Sequence, residues 1–122
     1  MQYDLLLQGG HVMDPSQGFD GPADVAFAEG RVVAVAPALS ARESREVVDV
    51  SRKIVTPGLL DIHGHFFSRC HFYSAEPDIV CLPCGVTTAV DAGSAGWVNF
   101  DGLRHYIMER CQTRLLAFLN LS

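Results

Sequence analysis

The sequence predicts an α/β fold in two parts, a small β region followed by a parallel sheet assembled from strand–helix–strand units. Three observations carry this. Short apolar or alternating runs, broken by Gly-Gly, Asp-Pro, Gly-Pro and Glu-Gly, fill the first part. Longer apolar runs alternate with helix-like segments in the second. The pattern changes at Pro57-Gly58, which divides the chain into regions 1–56 and 57–122.

In the first region Tyr3 to Gln8, Asp24 to Ala28, Arg31 to Ala36 and Glu46 to Val50 read as strands of a small antiparallel sheet. DVAFA and RVVAVA flank Glu29-Gly30, a two-residue connection suited to a tight hairpin. In the second region the strand candidates are LLDIH, Val86 to Ala92 and Leu115 to Asn120. Between the first two, EPDIVCLPCG suits a short helix ended by Pro83 and Gly85. Between the last two, Asn99 is placed to cap a helix with Phe100, Leu103, Tyr106, Ile107 and Cys111 at three- and four-residue spacing. The third strand is followed by no helix to cover it, so an open apolar edge is expected, with self-association through it and further structure needed to complete the sheet.

The 122 residues are 48% hydrophobic and 19% charged, enough to form a packed core. A net charge of -5, with nine basic residues scattered along the chain, offers no stripe for a nucleic-acid backbone. No run approaches the roughly 20 apolar residues that span a bilayer, and MQYDLLLQGG lacks the pattern of a secretory signal. A soluble, cytoplasmic chain is expected, with no nucleic-acid or membrane partner. Cys70, Cys81, Cys84 and Cys111 then default to free thiols.

The chemistry concentrates in Pro57 to Phe67, PGLLDIHGHFF. On a regular strand Asp61, His63 and His65 share one face while Leu60, Ile62 and Gly64 share the other. Two imidazoles side by side suit zinc and similar divalent ions, and an adjacent carboxylate is the kind of partner that orients a metal-bound histidine.

The β-rich preface, the Pro-Gly break, the Asp-x-His-x-His strand, GVTTAVDAGSAG (Gly85 to Gly96) and AFLNLS together resemble the amidohydrolase superfamily, and within it the dihydroorotase-like and deacetylase branch. The resemblance implies half of a small β-sandwich, then the first three strands, with helices, of a TIM-type (β/α)8 barrel. It implies that His63 and His65 bind the more buried of two divalent metals, usually zinc, with Asp61 supporting that shell. The activity implied is hydrolysis of a cyclic amide, N-acyl or ester bond in a small molecule by metal-bound hydroxide. The bridging carboxylated lysine, two further histidines and an aspartate of that family belong to later strands. Lys53, the only lysine, precedes the first barrel strand, and His11 and His105 lie elsewhere. With half of one metal site, the chain alone is expected to be inactive. Phe67 stands where dihydroorotases carry a substrate-gripping arginine, which argues against dihydroorotate itself.

Arg69 and His71, in the loop after the first barrel strand, and Asp91, at the end of the second, are candidate substrate-side residues; Asp91 equally suits a turn cap. Gly93 and Gly96 lack phosphate-loop spacing and suit a sharp turn. Cys81-Leu-Pro-Cys84 lies at a helix end, the wrong end for a redox pair. Two alternatives to the enzyme remain. One is a non-catalytic binding or structural remnant completed by another chain; the other is a small zinc module using Cys70, Cys81 and Cys84, with His71 as fourth ligand.

Overall fold

The computed structural model describes residues 1–70 and 72–121. Packing divides the chain into two compact units, Met1–Pro57 and Gly58 onward.

The first unit is built on β1 (Tyr3–Asp14), β2 (Phe19–Ala28), β3 (Arg31–Ala36), β4 (Ser44–Asp49) and the short β5 (Ile54–Val55). They form one sheet in the order β3-β2-β1-β4, with β5 also on β1. The hairpin at Glu29-Gly30 is present, both residues having positive φ as a type I′ turn requires. Two expectations are corrected. The sheet is mixed, because β4 and β5 run parallel to β1 after the chain crosses over β2 and β3. Gly9-Gly10 is no turn: β1 runs through it, and the register against β2 shifts between Leu7 and Gly10. Gly9 (φ 81°) absorbs that bulge in a conformation that most side chains resist. The buried Asp24 accepts the Gly9 N–H at 2.8 Å and the Leu39 N–H at 2.9 Å, so the irregular backbone keeps its partners.

Leu6, Tyr3 and Ala26 form one apolar cluster of this unit, and Val12, Ala23 and Val25 another. Val32, Val33 and Val35 on the edge strand β3 remain exposed, as expected for one layer of a sandwich.

The second unit has three parallel strands, β6 (Leu59–Gly64), β7 (Val86–Asp91) and β8 (Arg114–Ala117), in that order. Pro77 starts the first connection's helix, α1 (Pro77–Val80), a 3-10 turn over Leu82–Cys84 continues it, and Gly85 ends it. The second connection is α2 (Phe100–Leu103), which passes into a π-helical stretch, Arg104–Met108. There the Glu109 N–H reaches back to the Arg104 carbonyl, while its carboxylate binds Arg104 and His105. Asn99 begins α2 but does not cap it with its side chain, since its Oδ1 accepts the Gly96 N–H at 2.8 Å instead. One helix-facing cluster joins Phe66, Cys81, Ala89 and Leu115; a second joins Phe67, Ala95 and Leu103. Asp78 ties α1 to the start of β8 by accepting from the backbone of Gln112 and Thr113 and from the Thr113 hydroxyl. Those bonds hold its pKa below the usual carboxylate value.

The chain is therefore an α/β structure, a small sheet followed by three parallel strands with helical connections. No helix of the described residues is long and apolar enough to cross a membrane.

Candidate metal centre

Ridge and face on β6 follow from its pairing with β7. Residues paired across parallel strands project to the same side, so Asp61, opposite Ala89 and in turn Leu115, lies on the helix-covered face. Gly64 pairs with Asp91, and the register between Asp61 and Gly64 is irregular. This corrects the expectation that Asp61, His63 and His65 share a face. The strand slips by one residue between Asp61 and Gly64, which leaves Asp61 on the helix side with Cys81 and interrupts the alternation on which a shared face rested. Asp61 instead stabilises the irregularity, its Oδ1 accepting the His63 N–H at 3.0 Å. Gly64 separates the histidines because a Cβ there would collide with the Phe66 ring.

The two imidazoles meet edge to face with centroids 5.8 Å apart. Two rings sharing one ion at roughly 2 Å per nitrogen are compatible with such a spacing. His65 is the more constrained of the two: its Nδ1 lies 3.0 Å from the Ser94 hydroxyl, and the Tyr73 ring packs against it at 5.0 Å. The donor set therefore fits half of a metal site. Among the described residues no group of three or more His, Cys, Asp or Glu is placed to hold an ion.

Asp91 is 1% exposed, and both oxygens are taken up by backbone donors. Oδ2 accepts the Phe66 N–H at 2.7 Å; Oδ1 accepts those of Gly93 at 3.0 Å and Ser94 at 2.6 Å. This is the turn-capping geometry, with both oxygens engaged by backbone N–H groups. The carboxylate joins the residue that follows His65 to the turn that carries Ser94. Sequence reading did not single out Ser94; DAGS, an Asp three residues before a Ser, held the only trace of it.

Phe67 packs in the core against Ala95 and Leu103, so the position of the absent arginine is apolar and buried. Arg69 is exposed and lines an open groove of about 390 Å³ with Glu76, Asp78, Tyr106 and Arg110, residues of the helical connections; neither histidine lines that groove. His71 lies outside the described residues. All four cysteines are free: Cys70 and Cys84 are exposed, whereas Cys81 is buried in the core. Burial pushes the Cys81 thiol pKa up, with Asp61 and Asp78 adding to it, and burial likewise raises that of Cys111.

Comparison with known proteins extends these observations. No family model matches the chain. A deacetylase of Agrobacterium fabrum is 41% identical over 94 residues, 77% of this chain and 23% of its own length. A dihydroorotase of Citrifermentans bemidjiense is 49% identical over 61 residues, 50% of this chain and 14% of its own. The crystal structure of a dihydroorotase superposes on 98% of this chain, 32% of its own, with a TM-score of 0.82 and 34% identity. A D-aminoacylase, solved in work on its binuclear metal centre, covers 73% of this chain, 18% of its own, with a TM-score of 0.56 and 34% identity. The chain thus spans about a quarter of the length of that deacetylase and about a third of that dihydroorotase structure. Sharing both sequence and fold with these proteins, the chain belongs to the amidohydrolase superfamily, in the branch that joins dihydroorotases and deacetylases.

Proposed function

We propose that this chain supplies the opening strands of a barrel hydrolase and, with His63 and His65, two ligands of a divalent metal, zinc by preference. The observation that carries the reading is the pair of imidazoles on one side of the β6 terminus, with His65 constrained by Ser94 and Tyr73. The chemistry a bound ion supplies at such a site is acidification of water and polarisation of an amide or ester carbonyl. The chain's own residues orient the donors. Asp61 holds the backbone of His63, and Asp91 holds the backbone after His65. The substrate class is a small cyclic amide, N-acyl compound or ester, as the names of the relatives suggest, with Arg69 and His71 the candidate substrate-side residues nearest the histidines in sequence. Two ligands fall short of the three plus water of a catalytic zinc site, so the 122 residues alone are inactive.

The test is metal content and Zn²⁺ affinity of the chain and of His63→Ala and His65→Ala. Both substitutions should lower affinity by tenfold or more, and unchanged affinity in both would overturn the assignment. A second reading, a binding module completed by another chain, is favoured by the apolar side chains left open on the second unit, among them Leu60, Ile62 and Phe118. It predicts concentration-dependent mass in sedimentation, abolished when Leu60 and Ile62 are replaced by Lys.

A further inference from the structure

His65 and Ser94 are 29 residues apart, and the contact between them depends on one buried carboxylate. Asp91 takes the Ser94 N–H on one oxygen and the Phe66 N–H on the other, so the serine and the segment just after His65 are held to the same group. The Tyr73 ring, 5.0 Å away and steeply inclined, restricts rotation of the imidazole from another side. For His63 the described contacts are weaker in this respect: the edge of the His65 ring and a bond to its backbone N–H.

A neutral imidazole carries one proton, and the hydrogen bond made at one nitrogen decides which nitrogen keeps its lone pair. We infer that Ser94 is a positioning residue for the metal site: its hydroxyl oxygen accepts the Nδ1–H of His65 and thereby leaves Nε2 as the ligand atom. A hydroxyl can accept there while directing its own proton elsewhere. The inference rests on the reading of His63 and His65 as metal ligands, and it makes His65 the pre-set ligand and His63 the one that adapts. Asp91 acts one step further back, by fixing the turn that presents the serine.

The experiment uses the full chain at about pH 8, where an ordinary histidine is neutral. Long-range ¹H–¹⁵N spectra of the metal-free protein report the tautomer of His65, and competition with a chromogenic chelator reports Zn²⁺ affinity. Wild type and Ser94→Thr, which keeps the hydroxyl, should show the Nδ1–H form. Ser94→Ala should shift His65 toward the Nε2–H form and weaken Zn²⁺ binding about tenfold, the scale of losing an outer hydrogen-bond partner of a metal ligand. A wild-type protein already in the Nε2–H form, or a Ser94→Ala variant with unchanged tautomer and affinity, overturns the inference. Loss of Zn²⁺ binding in His63→Ala alongside an unchanged Ser94→Ala would sink the role of Ser94 alone, whereas unchanged binding in both His63→Ala and His65→Ala removes the metal reading beneath it.

Discussion

Each unit of the molecule contains an irregular strand and a buried aspartate that repairs backbone around it, and the two aspartates have different consequences. Asp24, 4% exposed, accepts the N–H groups of Gly9 and Leu39 and holds a bulge and a loop in the first sheet. Asp91, 1% exposed, accepts those of Phe66, Gly93 and Ser94. The device is the same: a carboxylate spread over backbone donors that the strand ladder leaves unpaired. The difference is the neighbourhood. Asp24 braces a structural sheet, whereas Asp91 braces a turn whose next polar side chain touches an imidazole. A buried acid is therefore no marker of catalysis by itself, and what it holds in place decides its meaning.

The comparison can be broken most sharply at the two acids. Asp91→Ala leaves three backbone donors without their acceptor and should cost about 3 kcal/mol or more. Asp24→Ala, with two donors, should cost about 2 kcal/mol. Urea unfolding followed by amide spectra should show the first loss in residues 58–121 and the second in residues 1–57. Equal disturbance of both units by either variant would contradict independent bracing. Zn²⁺ affinity should fall in Asp91→Ala and stay unchanged in Asp24→Ala.

Asp78 sharpens the comparison through pH. Its pKa is lowered by bonds from the backbone of Gln112 and Thr113. A carboxylate with a depressed folded pKa contributes stability that is present above its ordinary pKa and lost as pH falls through the folded value. The stability difference between wild type and Asp78→Asn should be full at neutral pH and shrink below about pH 4. A difference independent of pH would mean that the clamp works without its charge.

The smallest effect concerns thiol reactivity rather than stability. Cys70 and Cys84, both exposed, should react readily with iodoacetamide, while Cys81 and Cys111, whose thiol pKa values burial raises, should react slowly. Mass spectrometry of partly alkylated protein reads the order, and fast labelling of Cys81 would contradict its place in the core.

Much of the architecture was legible in local pattern. The Glu29-Gly30 hairpin and the helical turn closed by Gly85 each depend on a few neighbouring residues, and the structure contains both. Gly9-Gly10 misled because a bulge and a turn use the same residue, and only the partner strand distinguishes them. The parallel pairing of β4 with β1 was hidden for a similar reason, since direction is a property of the crossover and not of the strand. In the site the histidines were legible as a pair, but Asp61 was assigned to their face by strict alternation, which the slip before Gly64 invalidates.

By itself, the sequence determined most of the strand segments, and that two imidazoles and several carboxylates lie near one strand end. Those features rest on side-chain chemistry and backbone preference within a few residues. Only the tertiary structure decided which face Asp61 occupies, that Asp91 is spent on three backbone donors, and that Ser94 reaches His65. Each of these depends on register between strands distant in sequence, and a shift of one residue reverses the face on which a side chain lies.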